Sequence, residues 1–212
     1  MDKLMAKKLL TKRIIIYLAG VLVMSVGIAM SIKADVGVAP GSVLPYATSK
    51  LTPLSVGLCT TIFHIFFMLV QLAITRKPTI IILFQLPLAW AFGFLLDVNL
   101  GFLSMSIQGL GYNILLLVAG MVVFSAGIRA IVGANLILMP PDALARTIGD
   151  KFGWTMSKSK LIFDIVVTLL AAVLTYFIAG NALLVVGIGT VICAIGTGPG
   201  IFLFTKLMPF LD

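Results

Sequence analysis

The stretch "ADVGVAPGSVLPYAT" (34–48) breaks off a long apolar run with a charge, small residues and two prolines. A hundred residues later "ANLILMPPDALARTI" (134–148) does the same thing in the same place. Working outward, "LAGVLVMSVGIAMSIKADVGVAPGSVL" (18–44) lies over "VAGMVVFSAGIRAIVGANLILMPPDAL" (118–144). Ala19-Gly20 meets Ala119-Gly120, Ser25 meets Ser125, Gly27 meets Gly127 and Pro40 meets Pro140. Further on, "IFHI" (62–65) meets "IFDI" (162–165), and residues 14–74 show 14 identities in 61 ungapped positions with their counterparts. Apolar residues coincide easily by chance; coincident Gly, Ser and Pro do so much less. The chain therefore reads as two copies of one unit, with an indel needed to align their ends.

Composition sets the environment of that unit. Of 212 residues, 61% are hydrophobic and 10% charged, and the mean hydropathy is +1.21. Several windows reach the ~20 apolar residues that cross ~30 Å of hydrocarbon as a helix. The expected spans are 14–32, 55–75, 79–97, 113–132, 156–178 and 182–204. The reading is an all-α membrane protein of about six transmembrane helices, with a basic cytoplasmic segment (1–13), a first repeat (14–100) and a second (113–204) in a single membrane domain. The basic N-terminus followed by an apolar run reads as an uncleaved first span, since no small-x-small cleavage site follows it.

A net charge of +8 raises the question of nucleic acid, but the positions of the charges answer it. Placing both termini in the cytoplasm puts all Lys and Arg except Lys33 and Lys50 at or near the inner face, as the positive-inside rule requires. The expected location is the cell (inner or plasma) membrane, and the basic excess orients the chain rather than binding DNA. Three spans per copy is an odd number. The second copy must then cross the lipid in the opposite sense, an inverted repeat of the kind many secondary transporters use.

After its first span each copy shows a polar residue (Asp35, Asn135), an apolar stretch, proline, and then Ser42 or Asp142, from which a short helix is expected to run to about Lys50 or Asp150. Ser and Asp are good helix N-caps, and proline is tolerated in a first turn; Pro45 is expected to fall in that turn. Two symmetry-related breaks at membrane depth point to a central binding site. Asp35, Ser42, Asn135 and Asp142 are therefore the candidate substrate residues. A pair of interfacial connectors would use the same capping chemistry, so re-entrant and interfacial placements both stand.

"GIAMSIKADVGVAPGSVL", "GANLILMPPDALARTIGDKFGWTMSKSKLIFDI" and "QLPLAWAFGFLLD" (85–97) resemble the repeat signatures and third span of the bacterial YczE/YyaS/YitT-like multi-pass membrane proteins, over roughly residues 14–204. Members often carry an aromatic and an Asp after the motif proline. Here Gly41 and Ser42 take those places in the first copy, while Asp142 keeps the acid in the second. The resemblance implies fold and location more than activity.

Ionisable groups inside spans mark functional sites by default. His64 and Asp164 occupy matching repeat positions about nine residues into their spans, so a proton-coupling pair is one reading. The plainer one pairs Asp164 with Lys160 at i−4 and leaves His64 as interhelical glue. Arg129 and Lys33 are expected to snorkel toward the interfaces, and Asp97 to end its span at the outer face. With one His, two isolated Cys and no Glu, no metal site can be read, and no cofactor is expected. "GIGTVICAIGTGPG" (187–200) lacks the GK[ST] ending of a phosphate loop; its glycines read as helix packing. No catalytic motif appears, so an enzyme is not expected. The functional expectation is a small secondary transporter for a small solute, in contact with the lipid bilayer and with room for a homo-oligomer. The alternative is a non-transporting membrane regulator or scaffold for a partner protein.

Overall fold

The computed structural model describes residues 3–103, 109–181 and 184–209. Among these residues it holds eight helices and no strand: α1 (Lys3–Lys33), α2 (Pro40–Leu51), α3 (Val56–Thr75), α4 (Ile80–Phe102), α5 (Leu110–Ala134), α6 (Pro140–Phe152), α7 (Met156–Ala179) and α8 (Ile188–Leu207). Residues Leu9–Lys33 of α1, together with α3, α4, α5, α7 and α8, are long and apolar enough to cross a membrane. The short helices α2 and α6 fall where the two broken stretches were expected. The sixth span begins later than expected, at Ile188 rather than 182, a position outside the described residues.

How the chain leaves α1 and α5 explains the polar residue at each break. Asp35 (φ 51°) and Asn135 (φ 49°) both adopt the left-handed conformation. A short polar side chain makes that conformation tolerable for a residue with a Cβ. Their N–H groups close the helix ends, Asp35 on Ile32 O at 3.2 Å and Asn135 on Val132 O at 3.0 Å. The chain then runs extended until proline restarts it.

The restart differs from the expectation. Ala39 and Met139 are the N-caps, and neither α2 nor α6 has a side-chain cap. Ser42 and Asp142 sit inside the first turn instead. Proline at 40, and at both 140 and 141, begins the helix with residues that have no N–H to satisfy. A polar cap is correspondingly less needed. Pro45 consequently lies in the interior of α2, not in its first turn.

In lipid, helices gain little from hiding apolar surface from each other, so close backbone approach at small residues decides the packing. The α1–α5 crossing is built this way. Gly20 lies against Gly127 and Ala130, Gly127 against Met24, and Gly27 against Gly120 and Phe124. Numbers rise along α1 as they fall along α5, so the two helices are antiparallel and cross near Ser25 and Ser125. Gly57 and Gly93 make a still closer crossing between α3 and α4, and Gly196 and Gly200 of α8 lie against Met121 and Ser125 of α5. The glycines of the 187–200 stretch thus do pack helices.

Helix α2 packs on α3 and α7, and α6 packs on the same two, so these four close a ring. A second group, α4–α1–α5–α8, runs beside it and joins through α3–α4. Exchanging the first four helices for the last four maps α2–α7 onto α6–α3, α1–α4 onto α5–α8, and α2–α3 onto α6–α7. The correspondence fails at α3–α4, since α7 and α8 are not comparably packed.

Candidate functional site

The ring brings the starts of both short helices to one place on α7. Lys160 is the fifth residue of α7 and Asp164 lies one turn further on. The Lys160 Nζ is 2.9 Å from Asp142 Oδ1 and 2.9 Å from Asp164 Oδ1. Asp142 belongs to the first turn of α6, where a helix dipole favours negative charge. On the other side, a Cβ built on Gly41 in the first turn of α2 would come within 3.6 Å of the same Nζ. The Phe163 ring lies under the ammonium, with its centroid 5.6 Å away. The three charged side chains are 22–32% exposed, so the cluster is recessed yet reachable.

His64, on α3, is 4% exposed and stacks on Phe92 of α4, ring centroids 5.6 Å apart. Its Nδ1 has no hydrogen-bond partner. One face of α3 continues the polar lining: Gln71 Nε2 donates to Thr147 Oγ1 of α6 at 3.1 Å. Thr61 donates to Gly57 O at 3.0 Å and to Ala89 O at 3.3 Å.

The candidate residues therefore separate. Asp142 and Asp164 meet, through Lys160. His64 stacks on Phe92 of α4, while the ion pair of Asp164 is with Lys160, as the plainer reading had it. Ser42 stands next to Gly41 at the start of α2, half-buried. Asp35 is elsewhere: with Lys33, Tyr46, Ser49, Lys50 and Ser55 it lines a cleft of about 470 Å³ where α1 and α2 end and α3 begins. Tyr46 Oη is 3.5 Å from Asp35 Oδ1, and the Lys50 Nζ sits 5.2 Å from the Tyr46 ring centroid. Burial pushes the Tyr46 phenol above its ordinary pKa, so it stays a hydroxyl donor. Asn135 is exposed at the matching turn.

Two other expectations change. Arg129 does not snorkel: it is 4% exposed and donates from Nη2 to Met208 O at 3.3 Å. Asp97 does not end its span, since α4 runs on to Phe102; it caps the start of α3, accepting from Ser55 Oγ at 2.6 Å and from the Gly57 N–H at 2.7 Å. Sequence reasoning counted Lys160 among the charges of the inner face and so missed its central place. Its i−4 spacing from Asp164 was the available signal. The repeat singled out Asp142, but nothing local could have announced its pairing with Lys160, because it arrives from another helix.

Among the described residues no cluster of His, Cys, Asp and Glu could hold a metal ion. Residues 11–206 match a family described as a family of unknown function (DUF6198). No curated protein and no solved structure matches the chain.

Proposed function

The chain belongs to the DUF6198 family, and we propose that it is a small secondary transporter working by alternating access between two inverted repeats. Kinship with the YczE/YyaS/YitT-like bacterial membrane proteins is part of the same reading. So is a cell-membrane location with both termini in the cytoplasm.

The observation that carries it is the convergence of both broken stretches, at Gly41 and Asp142, on the ion pairs of Lys160. Broken helix starts that face a recessed polar cluster are how transporters make a binding site inside lipid. The antiparallel α1–α5 crossing supports the inverted arrangement, because equivalent helices of two inverted units must run in opposite senses. The pairwise exchange of helix contacts supports it again. In this reading the cleft at Asp35 and Tyr46 is an approach from one side, and the ion cluster is the deeper site. Along α2, Tyr46 and Gly41 are five residues, about 7.5 Å, apart at 1.5 Å rise per residue. The cluster carries bound solute; His64 and Asp164 are the groups whose protonation would couple solute to a proton gradient.

Uptake into proteoliposomes from a panel of small solutes, with and without a proton gradient, tests the proposal. Solute uptake that Asp142→Asn abolishes is expected. No uptake of any solute, together with a stoichiometric protein partner on gentle purification, would replace transport with the scaffold reading.

A further inference from the structure

Asp142, Asp164 and the Phe163 ring, which surround the Lys160 ammonium, all attract cations. Asp142 and Asp164 each place an oxygen 2.9 Å from it, and the Phe163 ring presents its π face, a further attraction for a cation. Gly41 is the α2 residue beside it. Pro45 lies inside α2 and has no N–H, so the Gly41 carbonyl lacks its usual i+4 donor and is left with acceptor capacity. His64, 4% exposed on the neighbouring α3, keeps Nδ1 without a partner. The two carboxylates and one ammonium sum to −1, so the lysine does not neutralise its surroundings. A chain needing only a structural ion pair would have been served by one carboxylate.

We propose that this cluster is an ammonium-binding site, in which the Lys160 side chain holds the place of the ligand's –NH3+ group and is displaced by it. This rests on the transport reading and names its solute class: ammonium ion or a small primary amine. The charge sum permits that exchange, being −1 before and after it. With Lys160 swung away, an incoming monovalent cation restores the same pairings, and the released lysine is close enough to the partly exposed rim to be hydrated. A tethered ammonium competes at the millimolar effective concentrations typical of short linkers. Free amine should therefore bind weakly to the parent protein and about tenfold or more tightly once the lysine is removed.

The test uses the full chain in detergent, with melting temperature followed against ammonium, methylammonium and propylammonium chlorides and against sodium chloride at equal ionic strength. A saturable stabilisation by amine over sodium is expected, lost in Asp164→Asn and in Asp142→Asn. It should shift to at least about tenfold lower concentration in Lys160→Ala. Asp164→Asn leaves the Asp142–Lys160 pair intact, so the test stands even if Lys160→Ala does not fold. Preference for ammonium over propylammonium assigns the inorganic ion; the reverse assigns an organic amine. Amine effects equal to those of sodium, or unchanged by both carboxylate variants, overturn the site. Uptake of a non-amine solute that methylammonium leaves untouched would refute the amine class while transport survived. Amine binding without flux would do the reverse.

Discussion

Replacing Gly57 by alanine puts a methyl group into the tightest helix crossing of the described residues. The new Cβ would fall on the Gly93 carbonyl oxygen and within 2.5 Å of the Asp97 carboxyl group. Helices α3 and α4 must part to admit it, and such overpacking costs about 1–3 kcal/mol. Parting also loosens the hydrogen bonds that Asp97 accepts from Ser55 and from the Gly57 N–H. Bonds to a charged group contribute about 1.5–3 kcal/mol each, and partial exposure of Asp97 puts these at the low end. Helix propensity returns about 1 kcal/mol for the Gly→Ala change. The net expectation is a loss of about 2–4 kcal/mol, which for a chain of this size lowers the melting temperature by roughly 5–15 °C. Gly101→Ala, also within a helix, is the control, because a Cβ there meets nothing within 4 Å; it should be as stable as the parent or up to about 1 kcal/mol more so. Thermal melts in detergent followed by circular dichroism decide it. If Gly57→Ala melts alongside Gly101→Ala, close glycine packing is not what joins these helices.

Three further outcomes follow from the same contacts. Asn99 Nδ2 donates to Ser25 Oγ at 2.8 Å, and since interhelical hydrogen bonds in membranes average about 0.6 kcal/mol, Asn99→Ala should melt much closer to the parent than Gly57→Ala. Arg129→Met removes a buried charged donor from Met208 O; a loss of about 1.5–3 kcal/mol is expected, with faster protease trimming beyond α8, and a parent-like melt would show the contact to be idle. In a background without Cys59 and Cys193, which are both buried, cysteines placed at the exposed Leu54 and Phe152 should react with a membrane-impermeant maleimide from opposite sides. Labelling of both from one side would remove the inverted symmetry.

What the linear chain determined were properties set by composition and local stereochemistry. Apolar length fixes which segments suit lipid, and proline and left-handed turns at 35 and 135 fix where helices stop and restart. Each depends on a few neighbouring residues, which is why six spans and two short helices were legible in advance. The boundary details were less so: with proline supplying the first turn, Ser42 and Asp142 were not needed as caps. Tertiary structure decided the rest. Whether Asp142 meets Lys160, whether Arg129 turns inward to Met208, and whether Asp97 reaches the start of α3 all depend on helices tens of residues apart in sequence. Coulombic and hydrogen-bonding partners are chosen by distance in space. Only the packing of α6 against α7 brings Asp142 within 2.9 Å of Lys160.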